Sequence, residues 1–527
     1  MALDSSGREL PGRFAFPAVA SAGLVAAPAA LMALVLLTRV PLRTRYLLNW
    51  DATQFALGMS QFDIAHHQPH PPGYIGYIAL GRLLQPLFAD PNTTLVAISI
   101  GAECLAVVLA YGFARRLFDE PTGLATGLAL LVSPLFWYYG EAANTYALEP
   151  AIALGLAWLA WRAWHGHRGG AYCAAAALGV LGSIRPSTSV LLAPLVLYSV
   201  VRSHPPAVVV RAVGIASAGA LAWVIPLLVA SGGVRAYLQA SLELGGSVSA
   251  GSAVWRAGLR GLAGNLQNVL EGVLLEVGLF AVPLVFGFAI APRFGIRPRL
   301  PRGWGAFCAV WIGPSLATYL FVHVGQAAYV QCFAPALLLS IGPALSATVA
   351  TLRRVGLFPA GAAAAAFANA LLFLAPVPQG LASQEAAHDR WVAGVIDVVE
   401  PWQPQHTLLV SDGWAAASYR TAQVYLPEYH RVAIAVDRRG RVGEVYADVY
   451  ELGGLARARP LQAPDGITTY VFMDQQTIDS VVADPERMQV AVLPDHRRVY
   501  FWTGPAPRAE GKQVWLGPRY HDRRGLG

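Results

Sequence analysis

The stretch Asn49-Trp50-Asp51-Ala52-Thr53-Gln54-Phe55, followed by Phe62-Asp63 and by His66-His67-Gln68-Pro69-His70-Pro71-Pro72-Gly73-Tyr74, decides how this chain is read. It follows an apolar run, Phe14 to Leu37, in a chain otherwise built for lipid. Packing alone does not explain carboxylates and imidazoles crowded beside a hydrophobic span. Gathered at a membrane surface, they point to chemistry on a lipid-borne substrate.

The surrounding composition supports the membrane setting. Of 527 residues, 55% are hydrophobic and 13% charged, and the mean hydropathy is +0.46. Soluble domains carry about 25% charged residues, so the balance is that of a polytopic membrane protein. The net charge of +7 comes almost wholly from arginine, since Lys512 is the only lysine. Arginines at span ends orient a protein and meet headgroups, so the basic balance does not imply nucleic acid. Cys104, Cys173, Cys308 and Cys332 all fall in apolar segments without CxxC spacing, which speaks against a disulfide framework.

Crossing hydrocarbon takes about 20 apolar residues. Candidate spans are 14–38, 92–114, 121–139, 145–161, 171–184, 186–201, 208–230, 266–291, 304–323, 328–349 and 355–376. The first is too long for a signal-peptide core and reads as an anchor. The expected fold is a polytopic α-helical membrane protein of about 11 spans, residues 1–376, with a first external loop at 39–91. The segment 74–88 is too short to cross. Placing the N-terminus inside puts Arg115-Arg116, Arg162 and Arg168, Arg202 and Arg211, Arg293/Arg297/Arg299/Arg302, and Arg353-Arg354 on the cytoplasmic face. Asp51, Asp63, the histidines, Glu141, the 231–264 loop, His323 and everything after 377 then lie on the other face of a multi-pass cell-membrane protein. Two basic sites break the pattern: Arg39/Arg43/Arg45, and Arg185 at the break Arg185-Pro186. Such a cation either snorkels to headgroups or holds a phosphate.

From 377 to 527 the composition changes. A helix over 381–400 and strands at 407–411, 431–437, 468–474, 488–493 and 498–503 predict a small α/β domain on the outer face. It carries no GxGxxG, GxxxxGK[ST] or HExxH motif.

Asp51 can be read in two ways, as the N-cap of a surface helix over Ala52–Leu57 or as a general base for an acceptor hydroxyl. His70-Pro71-Pro72-Gly73-Tyr74 is expected to open an apolar helix with its free amides toward an anion. Departure of a lipid phosphate needs a base and cations but no second acid, and Asp51, Arg185 and an arginine of the Arg39 group offer that set.

The stretch from Asp51 to Leu84 resembles the first external loop of GT-C glycosyltransferases. It is similar to protein O-mannosyltransferases, in which an acidic residue precedes an FD..HPP-type helix, and to the lipid A aminoarabinose transferases, whose helix starts with a Pro-Pro pair. Trp137–Glu141 through Thr145–Glu149, His323–Tyr329, Tyr419-Arg420 and Tyr425–Tyr429 resemble later segments of bacterial relatives. The resemblance implies inverting transfer of a sugar from a polyprenyl-phosphate donor on the non-cytoplasmic face, with Asp51 as the base. Asp63 and His70 carry over as loop-organising or substrate-contacting positions. Mannosyltransferases commonly pair two acids at the base position; here the neighbour is Ala52, which argues against protein O-mannosylation in particular.

His66, His67 and His70 are candidates for hydrogen bonds to sugar or acceptor. Asp63 with these histidines could instead bind zinc, but the prolines restrict the backbone, and no cofactor or metal is expected. Glu141 reads as an interface residue or a substrate contact, and His323, Gln326 and Tyr329 as donors to the lipid phosphate. The 231–264 loop reads as amphipathic and interfacial, with Gly-Ser hinges at 245–252. The acceptor is a lipid, a polysaccharide or a protein. The rival readings are a transporter or flippase of lipid-linked sugars and a non-catalytic membrane subunit. The single broken pair and the one-sided polar residues fit a transporter poorly.

Overall fold

The computed structural model describes residues 22–296, 298–357, 368, 381–412, 419–436, 442–445, 465–473, 478, 487–493 and 496–504. The expected boundary at 376/377, nearly all of the expected span 355–376 and Arg297 lie outside them.

The helical part comprises α1 (Ala22–Leu42), α2 (Trp50–Ser60), α3 (Ile75–Leu84), α4 (Pro91–Leu117), α5 (Glu120–Val132), α6 (Pro134–Gly140), α7 (Glu149–Trp164), α8 (Arg168–Leu181) and α9 (Pro186–Ser203). It continues with α10 (Pro206–Ala230), α11 (Val234–Val248), α12 (Val254–Val277), α13 (Ala281–Ala289), α14 (Trp304–Phe321) and α15 (Ala334–Arg354). Among the described residues, α4, α10, α14 and α15 are long and apolar enough to cross a membrane. The expected span 121–139 is instead the pair α5 and α6, bent by 62° at Ser133-Pro134. Pro134 withholds an amide at the bend. The expected span 266–291 is likewise divided, into α12 and α13.

Burial separates lipid-facing from core-facing helices. On α10, Val210, Val213, Leu221, Ile225 and Val229 are all exposed. Apolar side chains left outside are at home in hydrocarbon, where helix association gains nothing from hiding them. The centre of α4 is buried and carries Glu103. Arg39, in the last turn of α1, donates to Glu103 at 2.8 Å and to the Leu131 carbonyl at 2.6 Å. Its guanidinium lies 4.4 Å from the Trp137 ring. Both charges of this pair are fully buried. Arg39 itself is therefore engaged in packing, whereas Arg43 and Arg45 of the same group are exposed. A charge at this depth persists only with a partner. Gly140 allows the close fit, because a Cβ there would stand 2.1 Å from the Glu103 carboxyl carbon.

The 231–264 region differs from expectation. Helix α11 runs through Gly245-Gly246 to Val248, so the break begins later, and a second kink occurs at Gly258 with φ 59°. Leu238, Leu242, Trp255 and Leu259 are exposed along it.

After α16 (Leu381–Val399) come α17 (Tyr419–Tyr425) and a six-stranded sheet of β1 (Thr407–Asp412), β2 (His430–Val436), β3 (Val442–Val445), β4 (Thr469–Phe472), β5 (Gln489–Val492) and β6 (Arg498–Thr503). The order is β3-β2-β1-β4-β6-β5, with β1 parallel to β2 and β4 and the outer pairs antiparallel. Strand alternation sends Leu408 and Val410 to one core and Leu409 to the other, where Val395 and Val399 of α16 pack. Strand β3 has no counterpart in the sequence reading; its four residues, Val-Gly-Glu-Val, are too short to show a period.

Replacing Glu103 by Leu should cost about 3–5 kcal/mol, because it strands the Arg39 charge. The double variant Arg39→Met/Glu103→Leu should recover most of that loss. Thermal unfolding in detergent compares the two.

Candidate active site

The candidate site begins where α1 gives way to α2. Asn49, not Asp51, caps α2: its Oδ1 accepts the Ala52 amide at 2.9 Å. Asp51 stands in the first turn with its carboxylate 29% exposed, so capping does not explain it. Nor is α2 a surface helix, for Ala52 through Met59 are all buried.

The loop beyond α2 is a compact turn. Asp63 and Gln68 exchange both backbone hydrogen bonds, at 2.6 and 2.8 Å. The Asp63 side chain caps the short turn Ile64–His66 and meets His66 Nδ1 at 2.5 Å. His67 is buried in the left-handed region, φ 55°. Burial raises the Asp63 carboxyl, but the hydrogen bonds and charge of His66 outweigh it and hold the group below its ordinary value. Burial, reinforced by the charges of His70, Arg420 and His66, holds His67 down to about 3.

The expected helix at His70-Pro71-Pro72 begins later. Gly73 (φ 99°) and Tyr74 (φ 44°) turn the chain, and α3 starts at Ile75. Left-handed residues cannot continue a right-handed helix, so both prolines lie outside it. The Gly76 amide, expected to be free for an anion, donates to the Ser183 carbonyl at 2.8 Å. A Cβ on Gly76 would lie 2.2 Å from Ser183 Oγ, so α3 is seated directly on the corner that carries Arg185.

Arg185 is itself buried. Its Nε donates to Glu149 Oε1 and its Nη1 to Thr145 Oγ1, each at 2.5 Å. Thr188 Oγ1 adds a 2.7 Å bond to the same Glu149 oxygen. The guanidinium lies 4.0 Å from the Tyr146 ring centre. Nη2 has no hydrogen-bond partner among the described residues. Gln326 ties two rings together, accepting from the Tyr139 hydroxyl at 3.1 Å and donating to the Tyr146 hydroxyl at 2.7 Å. Tyr329 packs against Tyr146, Tyr319 and His323, and His323 Nδ1 lies 2.8 Å from Ser252 Oγ.

His70 stands beside Asp51. Its Nδ1 meets Gln54 Oε1 at 2.6 Å and Asp51 Oδ1 at 3.9 Å. Burial holds the imidazole below its ordinary value; Asp51 pulls it up and Arg185 pushes it down. With the Gln54 oxygen at Nδ1, the tautomer that hydrogen bond favours carries its hydrogen there and leaves Nε2 as an acceptor. The charges of Asp51 and Arg185 both act on Tyr74, Tyr139, Tyr146 and Tyr329. Asp51, His70, Arg185, Gln326 and Tyr329 thus face one aromatic-lined cluster, with His323 at its edge.

Four expected residues lie elsewhere, among them His67, buried in its left-handed turn. Asp63 and His66 pair with each other, and the His66 carbonyl accepts from Arg420 Nη2 at 2.5 Å. Glu141 is fully buried, accepting from Trp137 Nε1 at 2.5 Å while its carbonyl holds Thr44. Glu149, Tyr74, Tyr139 and Tyr146 were not among the expected site residues. One signal for Glu149 was legible: Arg185 breaks the charge pattern, so it needs an acid at similar depth. Among the described residues no three His, Cys, Asp or Glu side chains gather to hold a metal ion.

A family model described as dolichyl-phosphate-mannose-protein mannosyltransferase matches residues 70–229. That range contains His70, Glu149 and Arg185. No protein of curated function matches by sequence. Among solved structures, ArnT from Cupriavidus metallidurans bound to undecaprenyl phosphate is 14% identical with TM-score 0.54, covering 92% of this chain and 98% of that one. Its apo state is 14% identical over the same shares, with TM-score 0.51. The arabinofuranosyltransferase AftD from Mycobacteria is 12% identical with TM-score 0.47, covering 94% of this chain and 40% of that one. The chain thus shares the overall fold of ArnT.

The geometry sets two expectations. Gly76→Ala should force α3 off the Arg185 corner at a cost of roughly 1–3 kcal/mol, and Ser183→Gly should restore part of it; thermal unfolding of the three variants measures this. The second concerns acid. Unfolded His67 takes a proton near pH 6.5, which the folded loop refuses until about 3, so its contribution is intact above 6.5 and is lost as pH falls through that window. Asp63, held low, adds a further loss below 3.8. Hydrogen exchange at Asp63, His67 and Gln68, corrected for intrinsic rate, should show protection falling from pH 7 to 4. His67→Asn, which tolerates the left-handed backbone, should flatten that fall.

Proposed function

We propose that this chain is an integral-membrane glycosyltransferase that moves a sugar from a polyprenyl phosphate to an acceptor hydroxyl, with inversion, on the non-cytoplasmic face of a cell membrane. The fold supports the class, since ArnT, of the same fold, has been captured with undecaprenyl phosphate. The observation that carries the chemistry is the shared cluster of a partly exposed carboxylate, Asp51, and a buried guanidinium, Arg185, with one nitrogen left for an anion.

In this reading the acceptor oxygen attacks the anomeric carbon while Asp51 takes the hydroxyl proton. The bond from that carbon to the phosphate oxygen breaks, and the electron pair leaves with the polyprenyl phosphate. Arg185 Nη2 meets the phosphate, and Glu149 and Thr145 fix the plane of the guanidinium so that the remaining donor points one way. The rings of Tyr74, Tyr139, Tyr146 and Tyr329 offer faces for the sugar and hydroxyls for its oxygens. His70 Nε2 is an acceptor for a sugar or acceptor hydroxyl. Helices with exposed apolar side chains, α10 among them, face the hydrocarbon in which the isoprenoid tail would lie. The sheet following α16 is read as an extracytoplasmic α/β domain, on the same side as Asp51.

The test is release of polyprenyl phosphate from a panel of labelled polyprenyl-phosphate sugars by purified protein in lipid. One donor should turn over. Asp51→Asn should lower its turnover by about 10²–10⁴-fold. Arg185→Lys, which keeps the charge but loses the planar fork, should raise the donor KM by about tenfold. Full turnover in Asp51→Asn would sink the role of Asp51. Absence of turnover with every donor, with the variant still complementing a deletion strain, would favour the transporter or subunit.

A further inference from the structure

The segment between α1 and α2 reaches Asp51 as an irregular strap that bends at Arg45-Tyr46 and at Asn49. Thr44 is held by the membrane helices: its amide donates to the Glu141 carbonyl at 2.9 Å, and its carbonyl accepts from Asn92 Nδ2 at 2.8 Å. The next three residues are held by side chains that lie more than 340 positions further along the chain. The Arg45 amide donates to Asp389 Oδ2 at 2.8 Å, and the Tyr46 amide to Asp389 Oδ1 at 3.1 Å. The Leu47 amide donates to the Tyr425 hydroxyl at 2.9 Å, and His388 Nε2 donates to the Leu47 carbonyl at 3.0 Å. The Tyr46 and Tyr425 rings meet edge to face at 5.2 Å.

Arg420 completes the grip from α17. It is fully buried, its guanidinium lies 5.6 Å from the Trp50 ring, and its Nη2 donates to the His66 carbonyl. Trp50 immediately precedes Asp51, and His66 belongs to the turn that leads to His70. One arginine therefore joins Trp50, beside Asp51, to the turn that leads to His70. Three consecutive amides of the strap thus find their acceptors on α16 and α17.

We propose that α16 and α17 act as a clamp that sets the position of Asp51, with Asp389 and Arg420 as positioning residues. The inference rests on the reading of Asp51 as the base, and it gives the C-terminal part of the chain a role in the chemical step without placing any of its residues on the substrate. Displacement of a reacting group by about 1 Å costs on the order of 10²-fold in rate, so a small slack in the strap is enough to register. A positioning defect slows turnover but leaves the donor's binding contacts in place.

The experiment measures turnover and donor KM with the full-length protein in lipid, using the donor found active in the panel. Asp389→Ala and Arg420→Gln should each lower kcat by 10- to 100-fold with the donor KM within about twofold. Asp389→Asn keeps one acceptor oxygen and should recover much of the loss. In an Asp51→Asn background, Asp389→Ala should lower the residual rate no further, because it acts only through Asp51. Val492→Ala, exposed on β5 and outside the hydrogen bonds that hold the strap, should match wild type. Unchanged kcat in Asp389→Ala and Arg420→Gln would overturn the clamp while Asp51→Asn, still inactive, leaves the base intact. A loss that tracks the folded fraction in thermal unfolding, or that adds fully to Asp51→Asn, would also overturn it. Full activity in Asp51→Asn itself would overturn the base instead. Should Asp389→Ala fail to accumulate, Arg420→Lys carries the same readouts.

Discussion

A guanidinium held among apolar helices is the constraint on which the site depends. Arg185 cannot remain charged and buried without an acid, and Glu149 supplies it at 2.5 Å from the start of the preceding long helix. Meeting that need brings the corner before α9 against the first turn of α7. Thr145, Tyr146 and Thr188 are drawn into the same knot, and Tyr146 carries Gln326 and Tyr139 with it. The α3 helix then seats Gly76 on Ser183, which sets the first loop beside this knot. Arg39 and Glu103 follow the same rule one layer away, where the pair joins α1 to α4 and every guanidinium nitrogen of Arg39 already has a protein acceptor. Two rule-breaking arginines thus have different fates. One is consumed by packing; the other is held in plane with a donor remaining.

The loop that carries Asp51 is organised by backbone accounting more than by hydrophobic burial. Asn49 caps α2, Asp63 closes a turn on Gln68, and side chains from α16 and α17 take up the amides of the strap. These are polar groups at the edge of an apolar body, where each unmet hydrogen bond costs about 1–3 kcal/mol. That arrangement explains how a loop rich in proline and histidine keeps a single shape. It also explains why sequence identity of 14% is compatible with the same overall fold over nearly all of both chains. Apolar helices tolerate exchange among apolar residues, whereas the fold needs only a few fixed polar partners.

The sequence by itself determined the membrane class, because apolar length and arginine placement are local properties that lipid thickness reads directly. It located the first loop, the anomalous Arg185, the helix at 381–400 and five of the six strands, since period and composition are written within each segment. It did not determine which polar residues meet. The cap of α2 falls to Asn49 because its side chain reaches the Ala52 amide, and the start of α3 shifts because Gly73 and Tyr74 adopt left-handed backbone. Glu149 finding Arg185 across 36 positions, Arg39 finding Glu103 across 64, and Asp389 finding the strap across more than 340 were decided only by the tertiary structure. Local pattern records what each segment buries. Pairing between distant charges and backbone groups depends on which segments pack together, and that is fixed only when the whole chain has satisfied its buried polar atoms at once.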